Sequence, residues 1–119
     1  MSKILVVDDS PTEMFQFKEL LEKLGHEVIT ADNGLDGVKM AVDEQPDVVL
    51  MDIVMPDMNG FQATRQIARG PATKHIPVII VSSKNQETDK VWGQRQGAAG
   101  YITKPVNTQE LVNIMQACM

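Results

Sequence analysis

Polar residues of complementary type follow several short apolar runs in this chain. Asp8 and Asp9 come after Ile4 to Val7, and Asp52 after Val48 to Met51; Ser82 and Ser83 follow Val78 to Val81, and Thr103, Lys104 and Pro105 follow Tyr101 and Ile102. Three carboxylates brought together in a partly dry cleft repel, and each raises the pKa of its neighbours. A cation is therefore expected among them. Oxygen-only ligands suit hard Mg²⁺, which keeps several waters and takes one or two carboxylates from a protein. With Asp8 and Asp9 holding the ion, one Asp52 oxygen is left to attack phosphorus. Lys104 then supplies a fixed positive charge and Ser82 a hydroxyl donor for the incoming oxygens, which is the equipment for an aspartyl phosphate. Singly the residues say less: Asp9-Ser10-Pro11 reads equally as a helix start, and loop lysines and hydroxyls are mostly solvated. The argument rests on four groups whose order in the chain converges them on one edge.

That convergence needs elements to produce it. Apolar runs of strand length recur at Ile4 to Val7, Val28 to Thr30, Val48 to Met51, Val78 to Val81 and Tyr101 to Ile102, separated by helix-length segments. Several runs are continuously apolar, as in parallel strands covered on both faces. Met14, Phe17, Leu20, Leu21 and Leu24 repeat at helical spacing with Gly25 as a stop, predicting a first helix from Pro11 to Leu24. A second fits Leu35 to Glu44, with Val38 and Val42 one turn apart, and a third follows Asn59-Gly60 and ends near Gly70-Pro71. A fourth spans about Gln86 to Gln96, and a fifth runs from about Thr108 on the stripe Leu111, Ile114 and Met115. The expected architecture is a doubly wound α/β domain over residues 1–119: a five-stranded parallel sheet in the order 2-1-3-4-5 flanked by five helices, flavodoxin-like. Ligands of such sheets bind outside the carboxyl ends of the strands, where Asp52 would be central.

At 119 residues the chain has the length of one domain, and 43% apolar with 23% charged residues is an ordinary globular mixture. A formal charge of -5 without a clustered basic face argues against nucleic acid as a partner. No apolar stretch approaches the roughly 18 residues that span a bilayer, so a cytoplasmic location without membrane insertion is expected. Cys118, the one cysteine, is read as an incidental apolar residue.

The segments ILVVDDS, VVLMDIVMPDMNG, PVIIVSS and GYITKPV, in this order and spacing, resemble the CheY-like receiver domains of two-component systems over the whole chain. The resemblance implies Asp52 as phosphoacceptor, Asp8 and Asp9 as the acidic pair, Ser82 as switch hydroxyl, Lys104 as phosphoryl-binding lysine and the main-chain carbonyl of Val54 as a further metal ligand. It implies a cis peptide before Pro105, a histidine kinase as phosphodonor, and autocatalytic phosphorylation and hydrolysis in place of turnover of a substrate. Tyr101 becomes a switch residue on an output face of the fourth helix, fifth strand and fifth helix. A narrower likeness, in DDSPTEM, DIVMPDMNGFQATRQI and QETDKVWGQRQGAAGYITKPV, is to single-domain regulators of the chemosensory system for type IV pili and twitching motility. Ser82 stands where threonine is commoner, which keeps the hydroxyl and loses a methyl group. Val54 cannot orient an attacking water, so modest self-hydrolysis is expected, and Lys84 could shift the lifetime either way. Trp92 is read equally as a core residue and as an output contact.

Other features are set aside. His26 and His75 are assigned to solvated loops, and Met40, Met51 and Met115 to the core. Asn33-Gly34 and Asp57-Met58-Asn59-Gly60 are read as turns tolerating positive φ, not as phosphate-cradling loops; with no Walker A or GxGxxG pattern, a nucleotide cofactor is not expected. A haloacid-dehalogenase-type phosphatase shares the aspartyl phosphate chemistry, but it calls for a DxDx motif and a cap domain. A scaffold without phosphorylation is opposed by the complete residue set. The chain is expected to be a monomer acting on a separate output protein or as a phosphate sink, two roles the sequence leaves open.

Overall fold

The computed structural model describes residues 2–119. Strands and helices alternate: β1 (Lys3–Val7), α1 (Pro11–Lys23), β2 (Glu27–Ala31), α2 (Gly34–Glu44), β3 (Val48–Met51), α3 (Gly60–Arg69), β4 (Val78–Ser82), α4 (Glu87–Arg95), β5 (Gly100–Thr103) and α5 (Thr108–Cys118). All strand pairs are parallel and the order is β2-β1-β3-β4-β5, as expected. Successive strand side chains point to opposite faces, so each central strand feeds two cores. Ile4, Val6, Val48, Leu50, Ile79 and Val81 meet Phe17 and Leu21 of α1 and Leu111 and Met115 of α5 on one face. Leu5, Val7, Val49, Met51 and Val78 meet Ala41 of α2 and Ala63 and Ile67 of α3 on the other. Burial on both faces explains why β1, β3 and β4 read as unbroken apolar runs.

Two helical stripes differ from expectation. α1 ends at Lys23, where Gly25 (φ 93°) lets its N–H donate to Glu22 O and the His26 N–H to Leu21 O, 3.0 Å each. This pair of bonds closes the helix in a Schellman motif, and Leu24, rotated off the core face, is 44% exposed. In α2 the buried positions are Gly34, Gly37 and Ala41, while Val42 is 45% exposed. Small residues face the sheet because the helix lies very close to it: a Cβ on Gly37 would come within 2.8 Å of a Val7 methyl. Met51 and Met115 are buried as expected, and Met40 is partly so. His75 is exposed, but His26 is half-buried, with no hydrogen-bond partner at Nδ1 among the described residues.

Candidate functional site

The carboxyl ends of β1, β3, β4 and β5 place the predicted groups along one edge. Asp8 and Asp52 are fixed by extensions of the sheet ladder: the Asp8 N–H donates to Ala31 O at 3.1 Å and the Asp52 N–H to Val7 O at 2.9 Å. The Lys104 N–H donates to Ser82 O at 2.8 Å, joining the ends of β5 and β4, and the Lys104-Pro105 peptide is cis.

At the centre is the Lys104 ammonium. It lies 2.7 Å from Glu13 Oε2, 3.4 Å from Asp52 Oδ1 and 3.5 Å from Asp8 Oδ2. Asp8, Glu13 and Asp52 each offer a carboxylate oxygen within 4.8 Å of the others. Three carboxylates facing one ammonium leave two formal negative charges uncompensated, and all three donors to a prospective cation would be hard oxygens. That donor set could hold a metal ion. Burial pushes the Asp8 carboxyl up to about 6, with the neighbouring Asp52 charge adding to the effect and the Ser10 N–H and Lys104 opposing it. Burial also raises Asp52 above the ordinary carboxylate range against the pull of Lys104. For Lys104, burial works to lower the pKa, but the Glu13 hydrogen bond and the charges of Asp52 and Asp8 outweigh it and the net shift is upward.

Glu13 was not among the sequence candidates, and Asp9 does not join this cluster: its side chain is exposed. Ser10 caps α1, its Oγ accepting from the Glu13 N–H at 3.3 Å, with Pro11 in the first turn. The first turn of α1 thus carries Glu13 over the cleft. The signal was present as Ser10-Pro11-Thr12-Glu13, a capping-box spacing.

Ser82 is buried, its Oγ accepting from the Lys84 N–H at 3.1 Å. The Tyr101 phenol donates to Lys84 O at 2.6 Å, so β5 is tied to the loop that follows Ser82; burial raises the phenol's pKa. Trp92 is 48% exposed on α4, which places it on the surface. Val54 is exposed beside Asp52.

The turn reading of Asn33-Gly34 and Asn59-Gly60 needs correction. Asn33 and Asn59 are extended N-caps, and the positive φ in the second segment belongs to Asp57. Gly60 is required for a different reason: a Cβ there would overlap the main-chain carbonyl of Asp52.

A family model, the response regulator receiver domain, matches residues 4–116. The chain is 60% identical to protein PilH of Pseudomonas aeruginosa, over all of this chain and 98% of that one. Among solved structures it is similar to the chemotaxis protein CheY4 of Vibrio cholerae, with a TM-score of 0.92 at 29% identity, covering 100% of this chain and 99% of that one. The receiver domain of the sensor histidine kinase PA1611 from Pseudomonas aeruginosa, solved with a magnesium ion coordinated in its active-site cleft, gives 0.89 at 28% identity, covering 98% and 95%.

Proposed function

From the premise that this chain belongs to the response regulator receiver family, we propose that Asp52 accepts a phosphoryl group from the phosphohistidine of a chemosensory kinase and that the modification changes which protein the chain binds. The observation that carries this is the Lys104 ammonium, held within 3.5 Å of carboxylates at the ends of β1 and β3. An Asp52 oxygen attacks phosphorus as the bond to the donor breaks, and Lys104 and Ser82 meet the phosphoryl oxygens. Asp8, Asp52 and the Val54 carbonyl would hold Mg²⁺, with Asp9 acting from outside the three-carboxylate cluster. When bound, the ion neutralises charge on the transferring group.

No general substrate is turned over; phosphotransfer and self-dephosphorylation at Asp52 are the only chemistry. The signal leaves through the β4–α4 loop, Tyr101 and Trp92 to an output protein, or the chain drains a shared kinase. The likeness to PilH and the segments that first pointed to single-domain pilus regulators support a place in chemosensory control of type IV pilus twitching motility. Acting as a monomer in the cytoplasm fits this role, as does the finding that no helix among the described residues is long and apolar enough to cross a membrane.

The test is incubation with Mg²⁺ and acetyl phosphate, followed by intact mass, beside an Asp52→Asn control; beryllofluoride binding is followed by Trp92 fluorescence and calorimetry. Gain of one phosphoryl mass by the wild type alone is expected. If neither protein gains mass or binds beryllofluoride, a scaffold without phosphorylation becomes the better reading. Loss of twitching control in a strain carrying Asp52→Ala is the expected phenotype, and unaltered motility would remove the pilus assignment.

A further inference from the structure

The first turn of α1 departs from those of α3 and α4 in a way that bears on Lys104. In α3 the capping box is closed: Gln62 N–H donates to Asn59 Oδ1 and Asn59 N–H to Gln62 Oε1, 3.0 Å each. In α4 the Gln86 N–H likewise donates to Asp89 Oδ2 at 3.2 Å. In α1 the residue types are right for the same arrangement, with Ser10 at the cap and Glu13 three residues on. The Ser10 N–H is instead taken by Asp8 Oδ1 at 2.9 Å. Glu13, relieved of that donor, turns into the cleft and accepts from Lys104 Nζ at 2.7 Å, the shortest of the three contacts to this ammonium.

A lysine that must meet a phosphoryl group is therefore already engaged by a carboxylate that is not on the strand ends. We propose that Glu13 is a positioning residue that holds the Lys104 ammonium while Asp52 is unmodified and must release it when Asp52 carries a phosphoryl group. Glu13 is 39% exposed, so its carboxylate can return to water on release without stranding a buried charge. Asp8 cannot play this part, being 2% exposed and bound to the Ser10 N–H. The resting contact opposes phosphorylation and favours return to the unmodified state.

The proposal rests on the receiver reading, and beryllofluoride separates the two. At saturating Mg²⁺, calorimetry would compare the wild type with Glu13→Gln, which removes the charge, and Glu13→Asp, which keeps the charge but withdraws it by one methylene. Both variants should bind beryllofluoride about threefold more tightly than wild type, the size of a partly exposed ion pair. The Lys104 ammonium resonance should shift in both metal-free variants, confirming that the contact was broken in a folded protein. If only Glu13→Gln binds more tightly, charge and not the hold on Lys104 is responsible and the proposal is overturned; it is equally overturned if neither variant changes. A wild type that binds no beryllofluoride overturns the proposed phosphoacceptor role of Asp52 itself.

Discussion

At Gly60 the first turn of α3 lies against the main chain of Asp52 and Ile53, with the Gly60 N–H donating to Ile53 O at 2.9 Å. An alanine here would ordinarily favour a helix by up to about 1 kcal/mol. The added Cβ would have to displace the Asp52 carbonyl, which is backbone and cannot rotate aside as a flexible side chain would. Gly60→Ala should therefore destabilise the chain by about 2 kcal/mol, within the range for overpacking, and weaken beryllofluoride binding at the proposed phosphoacceptor. Urea denaturation and calorimetry check the two effects, and a variant as stable as wild type would show that the α3 start does not fix this loop. Gly25 makes the contrast: nothing lies within 4 Å of a Cβ there, and its need for glycine comes from φ 93° alone.

The helices show where apolar spacing is a reliable guide and where it fails. Leu21 and Leu24 are equivalent members of one stripe by spacing, yet Leu21 is fully buried in the α1 and α5 core and Leu24 is the cap residue, half outside it. Leu21→Ala should cost about 2–5 kcal/mol, and Leu24→Ala about 1 kcal/mol or less, since little apolar area is lost there. Thermal or urea unfolding of the pair checks this; equal losses would mean that the Schellman closure does not turn Leu24 away. The same contrast explains what was legible. Strand runs were read closely because β1, β3 and β4 are buried on both faces, leaving no polar residue to confuse the period. The α2 stripe was half right: Val38 packs against the core, but Val42 does not, and Gly34, Gly37 and Ala41 carry too little apolar surface to register as a face, although they are what lets the helix approach Val7. Asp8, Asp52, Ser82 and Lys104 were legible because strand ends are fixed by the topology. Glu13 was not, because its place depends on which acceptor takes the Ser10 N–H, a choice among near-equal local bonds that spacing does not decide.

On the scale of the whole molecule, the buried charges of Asp8 and Asp52 oppose folding when no cation is bound. Burial, with the Asp52 charge beside it, raises the Asp8 carboxyl to about 6 in the folded chain, whereas in the unfolded chain it titrates near the ordinary value of about 4. The folded form holds this proton more tightly, so protonation of Asp8 stabilises the fold. That contribution is fully present below the unfolded value and is lost as pH rises through about 6. The upward shift of Asp52 acts in the same direction. Without metal, the Asp8 contribution should fall by about 1 kcal/mol between about pH 5.5 and 7.5, read as a shift in urea midpoint that Asp8→Asn abolishes. Mg²⁺ should reverse the trend: an ion held by the ionised carboxylates competes with the proton, so stabilisation by Mg²⁺ should be largest near neutral pH and fade below about pH 6. A metal-free midpoint with the same pH dependence in wild type and Asp8→Asn would show that the strain of this site lies elsewhere. A Mg²⁺ effect of equal size at both pH values would show that the ion does not meet these carboxylates.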